Sequence, residues 1–175
     1  MNKAVFLDRD GVLNASISSN GVPKPPMRIE EVVILDGVID AINTLKTLGF
    51  LTLVLTNQPD VARGTITEIE VNEINAYISS KVQIDKFYVC FHDDGDKCSC
   101  RKPLPGLINL AIKEFDVDVN RSFLVGDRWK DIETGQSVGC RSYFIDYEYN
   151  EPKPNPPYEP CKSLFEAVNK LKSIR

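Results

Sequence analysis

The chain has 175 residues, 42% of them hydrophobic and 26% charged, the make-up of a folded domain and not of a disordered or collagen-like chain. Lys plus Arg number 21 and Asp plus Glu 25, a net charge of −4, which speaks against a nucleic-acid partner, because such binders need a basic face to displace counterions. No apolar run approaches the roughly 18 residues of a membrane span. Asp8 and Arg9 interrupt the apolar start, so no signal peptide and no membrane contact are expected, and a cytoplasmic location follows.

The predicted elements alternate between strand and helix. Ala4 to Leu7 is a short apolar strand that ends in Asp8-Arg9-Asp10-Gly11. Asn14 to Ile34 reads as irregular, with Pro23, Pro25 and Pro26 blocking regular pairing. Val38, Ile42, Leu45 and Leu48 recur at helical spacing and Gly49 stops that helix. Phe50 to Leu55 is continuously apolar, like a strand buried on both faces, and Thr56-Asn57-Gln58 follows it. Thr67 and Glu70 have the spacing of a capping box before a helix bearing Ile74, Ile78 and Val82. Phe87 to Val89 is a third strand, and Leu107, Ala111, Ile112 and Phe115 mark a third helix. Ser122 to Val125 is a strand leading into Gly126-Asp127, a short helix follows Trp129, and Tyr143 to Ile145 is the last strand. Glu151 to Pro160 is a proline-rich surface segment, before a helix capped by Ser163 and Glu166. Alternating strands and helices predict an α/β fold, a doubly wound parallel sheet covered on both faces. Residues 1–175 read as one domain, with loops too short for a separate cap.

In such folds ligands bind beyond the carboxyl ends of the strands. Asp8 and Asp10, Thr56-Asn57-Gln58, and Asp127 with Asp131 all fall there. Any one of these alone would read as a solvated turn. Their coincidence at one sheet edge points to chemistry. Acids at i and i+2 on an extended segment point the same way, and with a third acid they form a hard oxygen cage suited to Mg²⁺. Such a cage suits phosphoryl transfer. One carboxylate attacks phosphorus, a second handles the proton of the leaving alkoxide and then of water, and a hydroxyl and a lysine hold the phosphoryl oxygens.

Asp8-Arg9-Asp10-Gly11-Val12-Leu13-Asn14 resembles the signature of the haloacid dehalogenase superfamily of phosphatases. The likeness continues through Thr56-Asn57-Gln58, Cys100-Arg101-Lys102-Pro103 and Val125-Gly126-Asp127, in the order found in the branch that acts on heptose bisphosphate and histidinol phosphate. That resemblance implies a capless Rossmann-like phosphatase with an aspartyl-phosphate intermediate. Asp8 would be the nucleophile and Asp10 the general acid and base. Thr56 and Lys102 would stabilise the phosphoryl group. Asp8, Asp127 and the backbone carbonyl of Asp10 would bind Mg²⁺. Arg101 and Arg128 would reach substrate, with Ser16, Ser19, Asn57, Gln58 and Arg63 also on the substrate side.

The protein has five cysteines, which in a reducing compartment read as metal ligands or spare thiols. Cys90, His92, Cys98 and Cys100 gather three thiols and the sole histidine within one short stretch. Together they complete a tetrahedral zinc shell with no open position, so the zinc is structural. The spacing is tighter than in common zinc fingers, and the alternative is a surface loop with chance cysteines. The resemblance also places a zinc loop here, where it would pin Arg101 and Lys102 in position.

Relatives commonly follow Asn-Gln with Ser-Gly, whereas this chain has Pro59-Asp60, and its short zinc loop carries Asp93, Asp94 and Asp96. If these acids face the pocket they favour a cationic group such as the amine of histidinol phosphate. Arg63, Arg101, Arg128 and Lys24 could instead hold a second phosphate. The reading favours a small phosphorylated sugar, the C7 phosphate of D-glycero-D-manno-heptose 1,7-bisphosphate first, handled by a monomer. Histidinol phosphate and a non-catalytic phosphosugar-binding protein are the alternatives.

Overall fold

The computed structural model describes residues 1–172, except for the side chains of Ser18 and Ser19. β1 (Ala4–Leu7) is buried along its whole length. β2 (Ile17–Ser19) and β3 (Val22–Lys24) pair antiparallel as a separate ribbon. α1 (Val38–Thr47), β4 (Leu51–Asn57), α2 (Glu68–Lys81) and β5 (Lys86–Cys90) follow. Then come α3 (Gly106–Phe115), β6 (Phe123–Gly126), α4 (Trp129–Ser137), β7 (Arg141–Ile145), β8 (Glu159–Cys161) and α5 (Leu164–Lys172).

The main sheet has six strands in the order β5-β4-β1-β6-β7-β8, and all its pairings are parallel. The period-two alternation of a strand divides the core into two layers. Val5 and Leu7 of β1 face one layer, with Ala41 and Ile42 of α1, Ile74 and Ile78 of α2, and Leu164 and Val168 of α5. Ala4 and Phe6 face the other, with Leu107 and Ile108 of α3 and Ile132 of α4. This is the doubly wound α/β sheet that the alternating pattern predicts.

Three local expectations fail. The stretch 14–34 is not wholly irregular, because it contains the β2–β3 hairpin. Its loop is Asn20-Gly21, both residues at positive φ (54° and 76°), the combination favoured in two-residue hairpin turns. Pro23 is tolerated since it lies in a two-stranded ribbon, where its missing N–H breaks no central ladder. The proline-rich segment likewise closes with β8, which adds an edge strand beyond Tyr143–Ile145. Thr56 and Asn57 do not follow a strand but end it, paired with Val89 and Cys90. The capping box forms as expected: the Thr67 hydroxyl accepts from the Glu70 N–H and the Glu70 carboxylate accepts from the Thr67 N–H. Among the described residues no helix is long and apolar enough to cross a membrane.

Candidate active site

The chain leaves β1 through a tight turn. Asp8 N–H still donates to the Val125 carbonyl (3.0 Å), which holds the turn against β6. The Arg9 carbonyl accepts from Leu13 N–H (2.9 Å), and Gly11 supplies a backbone φ of +87°. Both acids line one cavity of about 570 Å³, yet their surroundings differ. Asp10 is held by donors: Asn14 Nδ2 and Gln58 Nε2, each at 2.9 Å, and the Arg9 guanidinium at 3.1–3.2 Å. Arg9 is itself fully buried and donates to Asn75 Oδ1 of α2 (2.9 Å).

Asp8 faces the other way, into a cluster of like charge. Lys102 Nζ donates to Asp8 Oδ1 (2.9 Å), to Asp131 Oδ1 (2.5 Å) and to the Leu55 carbonyl (2.7 Å). Burial lowers the tendency of Lys102 to stay charged, but Asp131 and Asp8 outweigh it and push its pKa up. Burial raises the Asp8 pKa to about 6, with Asp131 and Asp10 adding to the rise and Lys102 opposing it. Burial, then Asp8 and Asp131, raise the Asp127 pKa well above the usual carboxylate range. One ammonium therefore serves three carboxylates whose ligand oxygens lie within 4.8 Å of one another. Asp127 Oδ1 is buried with no hydrogen-bond partner. Clustered hard oxygens with an orphaned lone pair fit a small divalent cation such as Mg²⁺.

Asn57 clamps the lysine segment from β4. Its Oδ1 accepts from Lys102 N–H (3.0 Å) and its Nδ2 donates to the Lys102 carbonyl (3.1 Å). Thr56 is buried on the cavity wall, and its hydroxyl oxygen accepts from Gln58 Nε2 (2.8 Å).

β5 runs directly into the cysteine loop. Cys90 Sγ lies 3.2 Å from Cys100 Sγ, 3.8 Å from Cys98 Sγ and 3.6 Å from His92 Nδ1, and Cys100 Sγ is 3.3 Å from the same nitrogen. A zinc–sulfur bond of about 2.3 Å gives a tetrahedron with edges near 3.7 Å. Burial pushes the Cys90 thiol up to about 12, a cost that a bound cation removes by holding the thiolate. The cluster fits zinc, and all five cysteines are free of disulfides. Behind the loop, a Cβ on Gly106 would meet the Ser99 carbonyl at 2.3 Å, so α3 begins hard against it.

Asp94 and Asp96 of this loop are exposed to solvent and Asp93 is partly so, but Asp93 and Asp94 are paired with arginine. Asp93 takes two hydrogen bonds from Arg63 (2.6 and 2.8 Å). Asp60 takes a third from Arg63 (3.2 Å), and Asp94 accepts from Arg101 Nε (2.7 Å). Arg63, Arg101, Lys24 and Lys130 line the cavity with Asp60 and Asp94, so cations outnumber acids on its outer wall.

Among the expected site residues, Asp8, Asp10, Ser16, Thr56, Asn57, Arg63, Arg101, Lys102, Asp127 and Arg128 all border this cavity. Gln58 is buried behind it, bonded to Asp10 and Thr56, and does not border it. Ser19 lies in β2, and its side chain falls outside the described ones. Arg128 is held by Glu151, whose Oε2 accepts from its Nε (2.9 Å) and Nη2. Sequence reasoning passed over Arg9, Glu151 and two tyrosines. Tyr149 donates to Asp127 Oδ2 (2.9 Å) and Tyr147 to the Gly11 carbonyl (3.0 Å). Burial and the Asp127 carboxylate raise the Tyr149 pKa, which keeps the phenol a donor. The available signal was position, since both tyrosines follow β7 at the same sheet edge as the acids.

The profile of the haloacid dehalogenase-like hydrolases matches residues 26–139. The chain is 37% identical over 153 residues to the D-glycero-beta-D-manno-heptose-1,7-bisphosphate 7-phosphatase of Pasteurella multocida, covering 81% of this chain and 80% of that protein. It is 31% identical over 175 residues to the D-glycero-alpha-D-manno-heptose-1,7-bisphosphate 7-phosphatase of Campylobacter jejuni, covering 97% and 96%. Among solved structures it resembles the D,D-heptose 1,7-bisphosphate phosphatase of B. bronchiseptica complexed with magnesium and phosphate. There the TM-score is 0.82 and the identity 26%, over 99% of each chain.

Proposed function

The chain belongs to the haloacid dehalogenase-like hydrolases, and from that premise we propose that it is a magnesium-dependent phosphatase that removes the C7 phosphate of D-glycero-D-manno-heptose 1,7-bisphosphate. The observation that carries the reading is the buried trio Asp8, Asp127 and Asp131 at the carboxyl edge of β1 and β6, with Lys102 bridging Asp8 and Asp131. Relatives bearing that activity cover nearly all of the sequence.

Asp8 is the nucleophile in this reading. Its carboxylate oxygen attacks phosphorus as the bond from phosphorus to the sugar oxygen breaks, leaving an aspartyl phosphate. Asp10 gives its proton to the departing sugar oxygen, then takes one from water. The resulting hydroxide attacks phosphorus, the bond to Asp8 breaks, and inorganic phosphate leaves. Lys102 and the Thr56 hydroxyl orient the phosphoryl oxygens, and Gln58 and Arg9 keep Asp10 aimed. Asp8, Asp127 and the Asp10 carbonyl would hold magnesium, which when bound neutralises the acids and polarises a phosphate oxygen.

The cation excess of the outer wall favours a bisphosphate over an amine. Asp60, Asp93 and Asp94 are already paired with arginine, so none is left to bind histidinol's cation. Arg63, Arg101 and Lys130 sit where a second phosphate could displace these carboxylates. The relatives carry both alpha and beta names, so either anomer suits the reading. One six-stranded sheet spans residues 4–161, in keeping with one phosphatase domain; we read it as a cytoplasmic monomer.

Phosphate release from heptose 1,7-bisphosphate and from histidinol phosphate, with Mg²⁺ and with chelator, tests the proposal. Release should depend on Mg²⁺ and favour the heptose. Asp8→Asn should lower turnover by at least about 10⁴-fold while the melting temperature holds. Unchanged turnover in that variant would remove Asp8 from the nucleophile's role.

A further inference from the structure

The magnesium reading uses Asp127, but nothing in it explains what aims that carboxylate. Asp127 has two oxygens in different settings. Oδ1 is buried and without a partner, whereas Oδ2 accepts from the Tyr149 hydroxyl at 2.9 Å. On the Oδ2 side the carboxylate also rests against Gly11, where a Cβ would stand 2.0 Å from Oδ2. Tyr149 does not border the cavity, so it acts on the acid from behind.

The tyrosine is itself fixed. It sits on the segment that leaves β7, and three neighbours of that segment hold it to the site. Tyr147 donates to the Gly11 carbonyl (3.0 Å), Asn150 N–H to the Gly21 carbonyl of the hairpin turn (3.2 Å), and Arg128 to the Glu151 carboxylate (2.9 Å). The rings of Tyr147 and Tyr149 lie 5.5 Å apart, tilted by 32°. This strap ties the turn after β1 to the turn after β6 and sets the phenol on one oxygen of Asp127.

We propose that Tyr149 is a positioning residue of the metal site: by occupying Asp127 Oδ2 it fixes the carboxylate rotamer and presents Oδ1 to the ion. The inference rests on the magnesium reading of Asp8 and Asp127. A hydrogen-bonding partner behind a metal ligand commonly changes metal affinity by 10- to 100-fold.

The test is direct binding of Mn²⁺, as a spectroscopic substitute for Mg²⁺, to the zinc-loaded full chain by electron paramagnetic resonance. Wild type, Tyr149→Phe, Tyr147→Phe and Asp127→Asn are compared, with melting temperatures for each. Tyr149→Phe should keep its melting temperature and bind Mn²⁺ about tenfold more weakly. Its turnover should recover at high Mg²⁺, with little change in KM for the sugar phosphate. Tyr147→Phe, which keeps the ring and loses a hydroxyl elsewhere, should bind nearly as wild type. Tyr149→Phe affinity equal to wild type would overturn the proposal, as would an equal loss in Tyr147→Phe, which would make strap packing the cause. If Asp127→Asn binds Mn²⁺ as wild type does, the metal reading itself fails and takes the proposal with it. Weakened Mn²⁺ binding in Tyr149→Phe alongside full turnover in Asp8→Asn would leave Tyr149 in place and remove only the nucleophile.

Discussion

Gly11 shows how little room the site leaves. Its φ of +87° is costly for any other residue, and a Cβ there would stand 2.0 Å from Asp127 Oδ2 and 2.5 Å from its Cγ. Gly11→Ala should therefore displace the carboxylate, lowering turnover by about 100-fold or more and stability by roughly 1–3 kcal/mol. Steady-state kinetics across a Mg²⁺ series and denaturant unfolding would measure both, and wild-type kinetics would contradict the packing argument. Residues such as Asp8, Thr56, Lys102 and Asp127 were legible in the sequence because each closes an apolar strand or sits in a short motif. Tyr149 was not, because its partner is 22 positions away and their meeting depends on where two neighbouring strands end. Gln58 misled for a related reason. Adjacency to Thr56 and Asn57 suggested a shared wall, but its side chain turns inward to hold Asp10 and Thr56.

Among the elements, the cysteine loop links packing to chemistry most directly. It joins Cys90 at the end of β5 to Arg101 and Lys102, and it holds Arg63 through Asp93. Removing zinc, or replacing Cys98 by Ser, should free that loop. Thermal unfolding should then shift downwards by roughly several kcal/mol of lost stability. Phosphate release should fall with it, and added zinc but not added magnesium should restore the wild-type enzyme. A chelated protein as stable and as active as before would deny the loop its structural role. The four ligands were legible because they cluster in sequence. The β2–β3 hairpin and β8 were hidden by Pro23 and Pro160, which ordinarily break strands. Both prolines survive at edges, where no central ladder needs their missing N–H. The Asn20-Gly21 pair was the overlooked hairpin signal.

Across the whole molecule, the sheet order explains why separate motifs converge. From β1 the chain builds β4 and β5 on one side, then β6, β7 and β8 on the other. β1 is thus the point where the winding reverses, and its carboxyl end opens into the crevice where ligands of such sheets bind. The strand ends carry Asp8, Thr56 and Asp127 to that crevice, while Lys102 reaches it from the cysteine loop. Alternating periodicity made the doubly wound sheet readable. The ion pairs of the outer wall were not, because they bind loops that only the finished fold brings together. The most direct test of the central claim is a crystal structure grown with Mg²⁺ and beryllium fluoride. Beryllium should be bonded to a carboxylate oxygen of Asp8, with its fluorides facing Thr56 and Lys102. Beryllium fluoride bound to another residue, with the Asp8 side chain facing away, would contradict the account.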